Sequence, residues 1–203
     1  MTQARDPRPR IARRAEIPEG GGVRRRCGSA DPAESLSGQT SPMRPPTTIE
    51  EGRLIAGRHP CAWGPETAPE EVGSLLAAGV TLFLDLTQEG ELEPYAHLVP
   101  RPARHVRIPI RDFSVPSPEQ LESALDEIDG ELAAGGLVYV HCWAGCGRTG
   151  VVVGSWLVRQ GWAPTDALSR IAETRGLGCP QTLEQRLLVL DQNPGARAVS
   201  GSP

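Results

Sequence analysis

The 203-residue sequence contains no lysine; all 21 of its basic residues are arginine. Aromatic residues make up only 4%, too few for the stacking platforms that bind single-stranded nucleic acid. No apolar run approaches the roughly 20 residues of a membrane-spanning helix, which excludes an integral helical membrane protein. The N-terminal arginines are not followed by an apolar segment, so no secretory signal is read and a cytoplasmic location is expected. The five cysteines are an odd number in a chain without an export signal. Reduced thiols are expected from this, and a disulfide scaffold is not.

Charge is distributed unevenly. Residues 1–46 hold nine arginines against five acids, whereas residues 47–203 hold twelve arginines against twenty acids. An acidic body lacks the clustered positive charge of a nucleic-acid face and does not favour anionic membranes. Neither nucleic acid nor membrane is therefore expected as a partner. The first 46 residues, rich in Arg, Pro, Gly and Ser, show almost no apolar periodicity and read as a disordered basic tail. Translation starting at Met43 is an alternative reading of that stretch. One domain is expected over 47–194, with a flexible end at 195–203.

Within the body, hydrophobic pattern and turn signals alternate strands with helices. Short strands are expected at Arg53–Gly57, Val80–Leu86, His105–Ile110 and Leu137–Val140. Helices are expected at Thr67–Ala78, from the Ser117 capping box to about Ala134, at Thr149–Gln160, from Pro164 to near Gly176, and after Thr182. Residues 87–103 are polar and proline-bearing, a loop with one helical turn at most. Alternation of this kind implies a three-layer α/β fold with a mainly parallel central sheet of four or five strands flanked by helices.

The segment that carries chemistry is His141-Cys142-Trp143-Ala144-Gly145-Cys146-Gly147-Arg148-Thr149-Gly150. It joins a buried strand to a buried helix, and ligand sites of open α/β sheets lie at carboxyl ends of strands. A glycine-bearing loop here can turn successive N–H groups inward as an anion nest, aided by the positive end of the following helix. Cys142 opens the loop as a nucleophile, and Arg148 closes it with a bidentate fork for phosphate oxygens. Two other motifs share these residues. Gly145, Gly147 and Gly150 spell a dinucleotide fingerprint, but too far past the strand and with too little chain behind it. Cys142, Cys146 and His141 lack the spacing of a zinc site and have no second ligand pair, so no metal is expected.

His-Cys-x-x-Gly-x-x-Arg-Thr-Gly resembles the signature of the cysteine-dependent protein tyrosine phosphatases, and the compact size resembles their small dual-specificity branch. The resemblance covers about residues 50–190. It implies a phosphotyrosine-phosphatase-like fold and two-step hydrolysis without cofactor, in which Cys142 becomes phosphorylated and water releases the phosphate. The N–H groups of Trp143, Ala144, Gly145, Cys146, Gly147 and Arg148 would bind the phosphoryl oxygens. Thr149 resembles the hydroxyl that stabilises the departing thiolate, and His141 the residue that orders the loop. Asp112, 30 residues before Cys142 and just past a strand, is the expected general acid. Asp85 is the runner-up, and Asp126 and Asp129 lie on a helix and fit less well. Gln181 or Gln185 resembles the water-positioning glutamine, although Thr182-x-x-Gln185 is also a capping box.

Cys146 is expected to fill space, with a reversible bond to Cys142 as the alternative. The loop lacks the lysine that phosphoinositide-cleaving relatives use, and no counterpart of the long substrate-recognition segment of large tyrosine-specific enzymes is found. The choice between phosphotyrosine and phosphoserine or phosphothreonine is left open by this, and a monomeric phosphatase of phosphoproteins is expected, with phosphotyrosine the first candidate substrate. The competing readings are a phosphatase of a small metabolite or nucleotide, a non-catalytic phosphopeptide reader, and a thiol redox enzyme using Cys142 and Cys146.

Overall fold

The computed structural model describes residues 44–194. The expected tail, apart from its last three residues, the alternative start at Met43 and the C-terminal segment 195–203 lie outside the described residues.

Five strands form one sheet in the order β1-β2-β5-β3-β4. These are β1 (Thr47–Glu50), β2 (Leu54–Arg58), β3 (Leu82–Asp85), β4 (Arg104–Arg107) and β5 (Val138–Cys142). β2, β5, β3 and β4 run parallel, and β1 pairs antiparallel with β2 at the edge. The four- or five-stranded, mainly parallel sheet expected from the sequence is present. The strand expected at His105–Ile110 instead covers Arg104–Arg107. Beyond it the backbone continues as a loop held by Ile108 N donating to Asp85 O and Ile110 N to Leu86 O. β1 was not anticipated: four residues at a sheet edge, three of them polar, carry little apolar pattern.

Side chains alternate across the sheet, as a pleated strand requires. Leu82, Leu84, Val138 and Val140 face one core with residues of α2 (Pro118–Ala133), α3 (Gly147–Arg159), α4 (Pro164–Arg175) and α5 (Leu183–Leu190). Phe83 and Tyr139 face a smaller core closed by α1 (Ala68–Ala77). This is the three-layer arrangement. Helix α3 is the central one, with every residue from Gly147 to Val158 buried. It begins two residues before the expected Thr149, which places Arg148 and Thr149 in its first turn. The expected caps of α2 and α5 are both formed as capping boxes, by Ser117 with Gln120 and by Thr182 with Gln185.

Candidate active site

β5 ends on Cys142, which pairs in register with Arg58 at the end of β2. The chain then turns through Trp143–Cys146 into α3. The backbone carbonyls of this turn are held from behind. Trp143 O accepts from His59 N at 2.9 Å. Ala144 O accepts from Arg175 NH2 at 3.1 Å, and Gly145 O from Arg175 Nε at 2.7 Å. The two ends of a peptide plane point in opposite directions, so carbonyls drawn to the back leave the N–H groups free to face the opening, which is the geometry of an anion nest. Gly145 makes the turn possible. Its φ of +70° suits glycine, and a Cβ there would strike the Gly57 carbonyl. The N-terminus of α3 adds its positive end to the same point.

Cys142 is buried and carries a free thiol. Arg148 is fully buried, and its guanidinium donates to Glu91 twice (2.5 and 2.8 Å), to Ile110 O (3.0 Å) and to Leu86 O (3.4 Å). Asp112 Oδ1 lies 3.0 Å from Arg148 NH2. Burial works against the Arg148 charge, but the hydrogen bond to Glu91 and the charges of Cys142, Glu91 and Asp112 outweigh it and hold the guanidinium above its ordinary pKa. Burial likewise opposes ionisation of Glu91, and its hydrogen bond to Arg148 holds its carboxyl below the ordinary value. Arg148 Nε and Thr149 Oγ1 are buried without a hydrogen-bond partner among the described residues. A phosphoryl oxygen and the sulfur of Cys142 are the groups that would complete them.

The expected residues thus converge. Asp112 reaches Arg148 from the loop after β4, with its side chain 41% exposed. The next residue, Phe113, is exposed with a positive φ of 57°, and its N–H bonds Asp112 Oδ1 at 3.0 Å. The two glutamines separate. Gln185 is fully buried and its amide is committed, with Oε1 capping Gln181 N and Thr182 N and Nε2 donating to Ser114 O at 2.9 Å. The Gln181 side chain lies against Gly147, where an added Cβ would meet its Oε1. Asp126 and Asp129 of α2 pair with Arg159 of α3 and take no part in the site.

Asp85 is the centre of a separate buried network behind Cys142. Arg107 grips one carboxylate oxygen through Nε (3.0 Å) and NH2 (2.8 Å), and the hydroxyl of Thr87 donates to the other at 2.6 Å. His105 Nε2 lies 3.3 Å from the same carboxylate and His141 Nδ1 3.9 Å from it. Burial opposes ionisation of Asp85, but His141, His105 and Thr87 hold its carboxyl far below the usual range. His141 is fully buried, with Nε2 2.5 Å from the Tyr95 hydroxyl. Burial pushes it down to about 3 and its neighbour His59 down to about 4, so both rings are neutral at pH 7.

One expectation is corrected. Cys146 is neither a free space-filling thiol nor bonded to Cys142; it forms a disulfide with Cys179, 33 residues away, in the turn between α4 and α5. The odd count, read together with the expectation of no secretory signal, pointed to free thiols, and C-x-x-x-C spacing offered Cys142 as the only alternative partner. The pairing is set by α4 folding back over the loop, which no local pattern announces. Sequence reasoning also missed Glu91, one of three glutamates in a polar loop, and Arg175, which reads as an ordinary basic residue at a helix end.

Residues 61–162, half of the chain, match the model of the family described as "Polymorphic toxin system, DSP-PTPase phosphatase". The chain belongs to that phosphatase family. The expected membership of the cysteine-dependent phosphatases, in their dual-specificity branch, is met. This DSP-PTPase domain is 36% identical over 95 residues to the 067L protein of Invertebrate iridescent virus 3, which carries a provisional tyrosine phosphatase name. The match covers 43% of this chain and 38% of the viral protein, so the chain spans well under half of that relative. Crystal structures of Tk-PTP, in a glycine-to-alanine mutant form and in an active form, are each 28% identical, with TM-scores of 0.62 and 0.60. Each covers 71% of this chain, and 91% and 92% of Tk-PTP respectively. Kinase associated phosphatase, with serine in place of its catalytic cysteine, shares the fold at 18% identity and a TM-score of 0.60, over 74% of this chain and 94% of its own.

Proposed function

We propose that this chain hydrolyses phosphate monoesters on phosphoproteins, phosphotyrosine first, through a cysteinyl-phosphate intermediate. The observation that carries the reading is the meeting of three groups at one loop: Cys142 at the end of β5, Arg148 in the first turn of α3, and Asp112 3.0 Å from that guanidinium. In the first step Cys142 Sγ attacks phosphorus while the loop N–H groups and Arg148 hold the three non-bridging oxygens. Asp112 donates its proton to the departing oxygen. In the second step water attacks phosphorus, Asp112 takes its proton, and Sγ leaves as a thiolate stabilised by the Thr149 hydroxyl. Gln181 is the water-positioning side chain, since the Gln185 amide is engaged elsewhere.

The preference for an aryl ester is supported by the exposed aromatic side chains beside the opening. Phe113 adjoins Asp112, and Trp143 adjoins Cys142. Flat apolar faces suit a phenyl ring better than a seryl methylene. The family's description names polymorphic toxin systems, which favours phosphoproteins of a target cell as substrates. Turnover of phosphopeptides, phosphosugars and phosphoinositides by the metal-free protein tests the reading, with Cys142→Ser as the control. Phosphotyrosyl peptides should be the best substrates and Cys142→Ser should be inactive. Comparable turnover by Cys142→Ser would sink the covalent mechanism, and a phosphosugar as best substrate would sink the phosphoprotein assignment.

A further inference from the structure

Three consecutive residues of the phosphate loop are pinned through their carbonyls: Trp143 by His59, and Ala144 and Gly145 by Arg175. The fourth, Cys146, is the N-cap of α3 and has no side-chain cap bond. Its side chain is instead covalently joined to Cys179. Both sulfurs belong to nearly inaccessible residues, Cys146 at 3% and Cys179 at 6% exposure. Yet the turn that carries Cys179 is itself open, with Leu177 91% exposed. That same turn leads directly to Pro180, packed near Gly150, and to Gln181, packed against Gly147. One covalent bond therefore fixes the end of the anion nest and the segment that bears the water-positioning glutamine.

We propose that the Cys146–Cys179 disulfide is a redox-dependent tether of the phosphate loop, with Cys179 as a positioning residue and the oxidised protein as the more active form. The proposal rests on the phosphatase reading above. The switching step is a two-electron reduction: two thiols of a small dithiol give up their protons and electrons to become a disulfide, and Cys146 and Cys179 become free thiols. Without the bond, the turn at 176–182 is held to the loop by non-covalent packing alone. Cys146 can then shift, the N–H groups lose their common aim, and Gln181 moves relative to Gly147. In an oxidising medium the chain is competent; in a strongly reducing compartment it is slowed. Cys61, a free thiol, packs in the smaller core with Phe83 and Tyr139.

The test uses the full chain. Mass mapping of the unreduced protein should recover the peptides of Cys146 and Cys179 as a linked pair. Binding of inorganic phosphate is then measured in a Cys142→Ser background, where oxidation of the nucleophile plays no part, well below the Tm of every form. Treatment with a dithiol should weaken phosphate binding several-fold. Cys179→Ser should weaken it equally, and the dithiol should then have no further effect. With Cys142 present, kcat on a phosphotyrosyl peptide should fall in parallel under anaerobic conditions. A bond that merely staples the fold would lower Tm and leave phosphate binding and kcat unchanged, and that result overturns the tether, as does absence of the linked pair. If no substrate turns over in either redox state, the phosphatase reading fails, and the phosphate-binding arm still decides for or against the tether.

Discussion

Two aspartates sit at the carboxyl edge of neighbouring strands, and their surroundings suit them to opposite duties. Asp85 ends β3, is fully buried, and is gripped by Arg107 and Thr87 with two histidines close by. Asp112 lies five residues past β4 on a loop, its side chain 41% exposed, with one arginine beside it and its own neighbour's N–H on the same oxygen. A carboxylate with several fixed partners stays ionised and rigid, and serves as a strut. A carboxylate with one guanidinium partner and access to water can leave that partner and move a proton. Position at a strand end does not distinguish the two; the number of fixed partners does.

The largest expected effect sharpens that contrast on the catalytic side. Asp112→Asn should slow a phosphotyrosyl peptide by ~10²–10⁴-fold, the usual worth of a positioned acid. An aryl phosphate with a strongly electron-withdrawing ring should be slowed far less, because its oxygen departs with little protonation. The fold should be nearly as stable as the parent, within ~1 kcal/mol, as for other exposed ion pairs. Equal slowing of both substrates would assign Asp112 a positional role.

Asp85→Asn should do the reverse. It leaves Arg107 facing a neutral amide and disturbs the buried network, a loss of ~3–5 kcal/mol in unfolding free energy by analogy with other broken buried pairs. The fraction that remains folded should keep its ratio of peptide to aryl phosphate turnover. Urea unfolding followed by the buried Trp156, together with the two-substrate assay, measures both quantities.

The network also sets the acid sensitivity. His59 and His141 titrate near 4 and 3 in the folded chain, below the ~6.5 of an unfolded histidine. The unfolded chain therefore takes up protons first as pH drops. The stability due to neutral burial is fully present above ~pH 6.5 and is lost below it, by about 1.4 kcal/mol per pH unit for each ring. Asp85, shifted in the opposite sense from burial alone, loses its contribution only below ~pH 4, where unfolded carboxyls begin to protonate. His59→Asn keeps an acceptor for the Cys61 N–H now held by Nδ1 at 3.0 Å. It should remove about half of the slope between pH 6.5 and 4; an unchanged slope would place the proton uptake elsewhere.

The smallest effect is expected at a third aspartate. Asp126 pairs with Arg159 at 2.9 Å but is 74% exposed, and Arg159 keeps Glu122 and Asp129 as partners. Asp126→Ala should change stability by no more than ~0.5 kcal/mol and leave kcat untouched. A larger change would mean that exposure is a poor guide to the division drawn between Asp85 and Asp112.

What the sequence made legible follows the range of the interactions. The loop at 141–150, the capping boxes at Ser117 and Thr182 and the apolar strand ending at Asp85 are written in consecutive residues, and each is found in place. Asp112 was singled out by the resemblance, and its loop brings it within 3.0 Å of Arg148. The parts that were not legible join distant segments. Glu91 meets Arg148 across 57 residues and Arg175 meets Gly145 across 30, with nothing local to single out either side chain. Cys179 is the sharpest case: Cys146 read as a filler, with Cys142 as the alternative partner, and only the return of α4 brings Cys179 into reach.

Arg148 is surrounded by carboxylates before any substrate arrives, and this makes capture of a ligand an exchange of partners. Glu91 grips the guanidinium twice and Asp112 Oδ1 lies 3.0 Å from it. A phosphate dianion entering the nest competes with both for the same donors, because closely packed like charges repel one another. The empty nest thus carries a built-in rival of its ligand, which holds the guanidinium in place until phosphate displaces it.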